Sequence, residues 1–461
     1  LRITFHGATK QVTGSAHLVE IGSKRVLLDC GLFESDRFNP DSPNRRFDFD
    51  PASLDAVIVS HAHNDHIGRL PVLVKAGYTG PIYVTPPTAD ILNIMLRDSA
   101  RIQREDARNA QLRNPDAEPL DPLFELTDVE WVIERLVRLP YERPTEILPG
   151  ITLTYHDAGH ILGSAMVQLD FKEHDARRRF LFTGDLGRRD MGMLSNPTVV
   201  KEIDVLVSES TYGAKQLDTY DTLLKQLHAI VLRAIRLQSK IIIPAFSLGR
   251  TQRMIYSLLE LFHQHRVKPI PIYVDSPLAT RLTEVHRDHP SAYTEESRRL
   301  LDSEGGFFNS PDVHFCPTWD DSRRLNYLHG PLVIIASSGM CEAGRIRHHL
   351  RHAVEDPDNA VVIVSYQAEN TLGRQIAEGV ERIQIMDRWH DLNCAVYVLD
   401  GFSGHADRND FAWWYEQTGG GIESAFLVHG EPESMEALAP LLQSHVQSPV
   451  IIPEKGQGFD V

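Results

Sequence analysis

Three imidazoles and a carboxylate fall within six residues, at His61, His63, Asp65 and His66. Neutral imidazole nitrogen and carboxylate oxygen suit a borderline divalent cation such as zinc. One ion in a catalytic site takes three or four protein ligands. Four donors in so short a stretch therefore suggest sharing between two ions, as in hydrolases whose paired metals stand ~3.5–4 Å apart. The array follows the apolar run Ala56-Val57-Ile58-Val59, which sets it at the end of a strand. A polar loop with surface histidines is the plainer reading, and the density of donors weighs against it.

Five further positions have the chemistry to complete such a site. They are His160 in Asp157-Ala158-Gly159-His160, Asp185 in Thr183-Gly184-Asp185-Leu186-Gly187, Glu209 in Ser208-Glu209-Ser210-Thr211-Tyr212-Gly213, His405 in Phe402-Ser403-Gly404-His405-Ala406-Asp407, and His429 in Leu427-Val428-His429-Gly430-Glu431. Each alone reads as a turn or loop residue. Two ions, however, need about seven or eight protein donors, and these positions supply them in similar strand-end surroundings. Asp29, closing the run Val26-Leu27-Leu28, reads either as a turn residue or as the carboxylate that orients an imidazole N–H.

Rigid elements must position these groups. Residues 1–30 alternate in strand fashion with short polar turns, which predicts an antiparallel sheet. A short helix is expected at 71–77, a strand at 81–85, and a helix over 88–113 burying Ile91, Leu92, Met95 and Ile102. Strands follow at 151–155, 165–169, 180–183 and 205–208. From about residue 211 the texture changes: an amphipathic helix over 222–238, then apolar strands at 240–244, 270–274, 332–336 and 360–364, alternating with helices at 254–262 and 291–302. Continuous apolar strands between helices predict a buried parallel sheet. A run at 395–399 leads back into the His405 turn. No internal repeat is visible.

Hydrophobic content of 42% with 24% charged residues suits a soluble globular enzyme of two or three domains. No apolar run is long enough for a membrane span, and the first residues show no secretory pattern. Four scattered cysteines, without a C-x-x-C pair, fit a reducing cytoplasm. The net charge of −16 opposes non-specific wrapping of nucleic acid.

The order Asp29, His61-x-His63-x-Asp65-His66, His160, Asp185 resembles the metallo-β-lactamase superfamily, and Glu209, His405 and His429 look like motifs A, B and C of its β-CASP branch. That branch includes the eukaryotic pre-mRNA 3′-end cleavage factor, its bacterial and archaeal relatives and the RNase J enzymes. Pro244-Ala245-Phe246-Ser247-Leu248-Gly249-Arg250, Ala336-Ser337-Ser338-Gly339-Met340 and Tyr366-Gln367-Ala368-Glu369-Asn370-Thr371-Leu372-Gly373-Arg374 match the branch's inserted domain. The resemblance covers essentially the whole chain. It implies an αβ/βα sandwich from 1–210 and 396–461, with an α/β β-CASP insertion at 211–395.

Carried over residue by residue, the resemblance gives two Zn2+ per chain. His61, His63 and His160 would hold one, Asp65, His66 and His429 the other, and Asp185 would bridge them. A water activated between the cations would attack phosphorus in line. His405 would protonate the leaving oxygen, with Glu209 holding and polarising it, and Asp29 would orient a ligand imidazole. The inserted unit would form the opposite wall of a cleft, with Arg250, Ser337, Ser338 and Arg374 as candidate phosphate contacts.

Histidine at motif C goes with RNA-processing members, so the implied substrate is single-stranded RNA. Cleavage would be endonucleolytic, with 5′→3′ exonuclease capacity left open. After Gly213 relatives place a basic residue and a histidine, whereas this chain has Ala214-Lys215-Gln216-Leu217-Asp218; that concerns substrate-edge contacts, not metals. Neither a KH-type extension nor an RNase J-like C-terminal domain is expected, and a homodimer is open. Three rivals stand. A thioesterase- or lactonase-type hydrolase would not need the insertion. His429 counts against a DNA nuclease. The intact ligand set counts against a metal-poor scaffold subunit.

Overall fold

The computed structural model describes residues 1–34, 39, 41–113, 121–174, 176–264, 267–303 and 308–461. They form two compact units. The first comprises Leu1–Arg189, Asn196–Gln216 and His405–Val461, and the second Asp190–Ser195 and Leu217–Gly404.

In the first unit, alternating segments at the chain start become the strands Arg2–Phe5, His17–Ile21 and Lys24–Leu28, paired antiparallel in sequence. Ala56–Ile58, Ile82–Val84 and Leu136–Arg138 extend that sheet in parallel, and Gly458–Asp460 closes its other edge against Arg2–Phe5. A second sheet runs in the order Ser424–Leu427, Val205–Ser208, Ala176–Phe182, Ala165–Glu173, Ile151–Asp157, Thr145–Leu148. Period-two alternation gives each strand one face for the space between the sheets. Ile3, Val19, Val26 and Ile58 of the first sheet meet Leu153, Val167, Phe180, Val207 and Phe426 of the second there. On the second sheet's other face, Met166, Leu181 and Leu206 pack with Phe411 and Trp414 of the helix Arg408–Thr418 and with Met435 and Leu438 of the helix Pro432–Gln443. Three further helices of this unit, Leu70–Lys75, Pro86–Arg113 and Leu126–Glu134, pack together and on the edge strand Leu136–Arg138.

The second unit holds a six-stranded sheet, all parallel, in the order Val313–Phe315, Ile272–Asp275, Leu332–Ala336, Lys240–Pro244, Ala360–Ile363, Ala395–Val398. Its strands are apolar on both faces because helices cover both. Tyr220–Leu237 and Arg250–Gln264 pack on one side, Ile346–Ala353 and Leu372–Ala377 on the other.

Two expected details change. The long helix begins at Pro86 and buries Ile91, Leu92, Leu96, Ala100 and Gln103, leaving Met95 half-buried and Ile102 exposed. Gln103 takes the inward place because its side-chain oxygen accepts from the Leu123 N–H. The helix expected from Ser291 starts at Glu295, since Pro290–Ala292 forms a separate turn and the Thr294 hydroxyl accepts from the Ser297 N–H. Among the described residues no helix is long and apolar enough to cross a membrane.

Candidate metal centre

Strand ends of the first unit converge on one group of side chains. His61 and His63 follow Ala56–Ile58, and Asp65 and His66 lie in the single turn Asn64–Ile67. His160 sits between Ile151–Asp157 and Ala165–Glu173, Asp185 follows Ala176–Phe182, and Glu209 follows Val205–Ser208. His429 follows Ser424–Leu427, and His405 pairs with Gly187 in an isolated bridge. Close backbone approach is built in: a Cβ on Gly31 would stand 1.5 Å from the Asp65 carbonyl oxygen, and one on Gly184, at φ +53°, 2.6 Å from Ser60 Cβ.

The donors sort into two sets. His61 Nε2 is 3.0 Å from His63 Nδ1 and 3.3 Å from Asp185 Oδ2, and His160 Nε2 is 3.3 Å from His63 Nδ1. His66 Nε2 is 3.2 Å from both His429 Nε2 and Asp185 Oδ1, and Asp65 Oδ2 is 3.2 Å from His429 Nε2. Asp185 thus turns one oxygen to each set. Both oxygens are buried with no hydrogen-bond donor, and His160 Nδ1 also lacks a partner. A tetrahedral ion with bonds of ~2.0–2.1 Å separates its ligand atoms by about 3.3 Å, which is the spacing seen. The donor set therefore fits two cations, and the carboxylate that nothing else satisfies lies between them.

Electrostatics agree. Burial, with neighbouring imidazoles adding to it, keeps His61, His63 and His160 neutral, His63 falling to about 3. Their lone pairs are free for a cation at neutral pH. Burial opposes charge on Asp65 and Asp185 as well, but the surrounding histidines hold both below the usual carboxylate range. Burial works against charge on His66 and His429 too, but Asp185, joined by Asp29 at His66 and by Asp65 at His429, outweighs it and raises the pKa of both.

Orientation comes from residues around the donors. Asp29, at φ 58°, accepts from Ser60 N–H at 2.8 Å with one oxygen, and its other lies 2.6 Å from His66 Nδ1. That fixes His66 with Nε2 facing the donors. Three hydroxyls escaped the sequence reading. Ser60 Oγ lies 3.1 Å from His61 Nδ1, Thr211 Oγ1 lies 3.1 Å from His429 Nδ1, and Ser164 Oγ accepts from the His160 N–H at 3.1 Å. Ser60 directly precedes His61 and Thr211 lies inside the Glu209 motif, and adjacency is the only signal that could have found them.

His405 Nδ1 lies 3.1 Å from Glu209 Oε1. Glu209 is fully buried and also accepts from Leu186 N–H at 2.7 Å and Thr211 N–H at 3.0 Å, so it cannot swing. Burial works against a charged His405, but Glu209, Asp185 and Asp65 overcome it and raise the imidazole to about 9. The His405 ring lies 4.5 Å from that of His160. His63, Asp65 and His405 are partly exposed while the other donors are buried, so solvent reaches the group on that side.

The segment after Gly213 is anchored locally: Lys215 O accepts from Arg408 N–H, and Lys215 Nζ lies 5.5 Å from the Tyr212 ring centroid. The four candidate phosphate contacts lie in the second unit. Ser337 Oγ joins Ser247 Oγ at 2.7 Å and Ser276 Oγ at 3.1 Å, beyond the ends of three parallel strands. Ser338 Oγ donates to Ala343 O, Arg374 pairs with Glu378, and Arg250 opens the helix Arg250–Gln264.

Comparison with known proteins places this arrangement. The profile described as "Metallo-beta-lactamase superfamily" matches residues 9–245, and a Thermus thermophilus protein, Ribonuclease TTHA0252, is 34% identical over all of both chains. The chain belongs to the metallo-β-lactamase superfamily. A Beta-Casp domain matches residues 251–376, and a "Zn-dependent metallo-hydrolase RNA specificity domain" residues 389–453, which include His405 and His429. The chain is thus a metal-dependent hydrolase of the β-CASP branch. It is also 32% identical to the Transcription termination factor FttA of Methanocaldococcus jannaschii, over 94% of this chain and 67% of that protein. A crystal structure of a protein of unknown function from Enterococcus faecalis V583 shares the fold, with a TM-score of 0.56 at 14% identity over 99% of each chain.

Proposed function

We infer that this β-CASP hydrolase is a zinc-dependent ribonuclease that cuts phosphodiester bonds within single-stranded RNA. The observation that carries the reading is Asp185, buried without a hydrogen-bond donor and facing two donor sets, with the His405–Glu209 pair beside it. Its likeness to proteins named ribonuclease and transcription termination factor supports RNA as the substrate. So does the match to an RNA specificity domain across His405 and His429.

His61, His63, His160 and Asp185 would hold one ion, and Asp65, His66, His429 and Asp185 the other. When bound, two such cations supply Lewis acidity for phosphoryl oxygens and lower the pKa of water. The chain's own residues do the rest. Asp29 keeps the His66 Nδ1 proton engaged, and Thr211 and Ser60 do the same for His429 and His61. Glu209 holds Nδ1 of His405, leaving Nε2 as the atom that delivers a proton to the leaving oxygen. His405 is raised, so it carries that proton at neutral pH. Arg250, Ser337, Ser338 and Arg374 remain the proposed contacts to RNA phosphates. Four cysteines, all free and buried, fit a reducing compartment.

The test gives purified protein 5′-labelled single-stranded RNA and DNA of the same sequence, beside His61→Ala and His405→Ala. Cleavage of RNA alone, lost in both variants, with zinc content lowered only in His61→Ala, is expected. Turnover of thioesters in place of RNA would overturn the reading.

A further inference from the structure

A chain with 63 acidic and 47 basic residues must gather its positive charge to hold a polyanion. One surface of the second unit does so. The segment Arg345-Ile346-Arg347-His348-His349-Leu350-Arg351-His352 contains no acid. Its helix, Ile346–Ala353, buries Ile346, His349, Leu350 and Ala353, leaving Arg347, His348 and Arg351 half-buried and His352 exposed. Residues four apart share a helix face, so Arg347 stands beside Arg351 and His348 beside His352.

Several neighbouring arginines are ion-paired: Arg323 with Asp320, Arg345 with Asp275, Arg374 with Glu378 and Arg382 with Asp391. Among the described residues no carboxylate lies within ion-pair distance of Arg347 or Arg351; Arg347 donates to the Glu342 carbonyl at 3.3 Å. Aromatic surface adjoins the cations. Trp319 is 58% exposed, with its ring 5.8 Å from that of His348 and Arg345 Cζ 4.8 Å from its centroid, and Tyr327, 81% exposed, follows Asn326, whose Oδ1 lies 3.3 Å from His349 Nδ1. Unpaired guanidinia beside exposed rings offer phosphates a counter-charge and bases a stacking face.

We propose that the face formed by Arg347, His348, Arg351, Trp319 and Tyr327, none of them a candidate metal donor, is a docking surface for single-stranded RNA. The proposal rests on the ribonuclease reading. Arg347 and Arg351 contact backbone phosphates, and Trp319 and Tyr327 stack on bases. No sequence preference follows, because stacking and phosphate contacts are sequence-tolerant.

Fluorescence anisotropy with a hydrolysis-resistant phosphorothioate strand, over a salt series, tests it on the full chain. Arg347→Glu with Arg351→Glu is expected to weaken binding at least tenfold and to reduce the slope of log affinity against log salt by about 2. Arg347→Lys with Arg351→Lys keeps the slope. Trp319→Ala weakens binding about tenfold with the slope unchanged. A wild-type circular dichroism spectrum and melting transition in every variant show that they fold. Wild-type affinity and slope in both the charge-reversed and Trp319→Ala proteins would overturn the proposal, and capture of polyglutamate by that face would then assign it to an acidic polypeptide. If the wild type binds the strand with these variant effects but cleaves no RNA, the ribonuclease reading fails and the docking surface stands.

Discussion

His405 and Glu209 have separable effects. His405→Ala removes a proton donor but no cation donor, so kcat is predicted to fall by ~10²–10⁴ with metal content unchanged. Glu209→Gln removes the largest of the charges that raise His405. An acid must be protonated to act, and its rate limb falls as pH rises through its pKa. The alkaline limb in Glu209→Gln is therefore expected to move to lower pH; an unmoved limb would remove His405 from the acid's role. Asp29 acts one step further out, through His66, and Asp29→Ala should weaken metal binding by ~10–100-fold in chelator competition. His and Asp were legible as candidate donors because few other side chains do that chemistry at such density. Ser60, Ser164 and Thr211 were not, because a hydroxyl becomes an orienting group only when the backbone brings it to a particular ring nitrogen or N–H.

Elements were legible where apolar residues carried the period. The runs Ile241-Ile242-Ile243 and Leu332-Val333-Ile334-Ile335-Ala336 could only be buried strands, and both lie central in the parallel sheet. The helix Pro277–Asp288 was not, since it buries Ala279, Thr283 and His286 along with Leu282 and Val285 and so shows little apolar rhythm. Its start is fixed instead by the Ser276 cap. The residue before that cap, Asp275, holds the second unit together electrostatically. Fully buried at its strand's end, it accepts from Arg345 Nη1 at 2.6 Å and Ser322 Oγ at 2.5 Å, and its second oxygen lies 2.6 Å from His349 Nε2. Burial pushes its carboxyl up, but His349, Ser322 and Arg345 outweigh that and lower its pKa. A depressed acid stabilises the fold above its unfolded pKa of ~3.9, and that contribution is lost as pH falls through the folded value. Asp275→Ala strands Arg345 and should cost roughly 3–5 kcal/mol at pH 7 in denaturant unfolding. Below about pH 4 the gap from wild type should narrow as the wild-type carboxylate protonates. A constant gap across that range would assign the loss to packing.

At the scale of the whole molecule, the metal donors come from both ends of the chain, from His61 to His429. Three separate segments build the first unit, and Gly458–Asp460 closes its sheet against Arg2–Phe5. The motifs announced that return of the chain, while the point at which it leaves the second unit's parallel sheet did not show, because apolar texture runs unbroken through Ala395–Val398. Such a centre couples metal to fold. Asp65 and Asp185 are ionised in the site and face one another's field, so cations are the natural counter-charge. A ligand that binds only the folded state stabilises it by about 2.7 kcal/mol at a hundredfold excess over Kd. Chelation is therefore predicted to lower the melting transition of the first unit by several degrees and to leave that of the second in place. Excess zinc should restore it in proportion to the logarithm of free metal. Asp185→Asn should abolish the chelator response, since one carboxylate faces both donor sets. An identical shift in both transitions, or a full response in Asp185→Asn, would mean that the stabilising ion sits elsewhere.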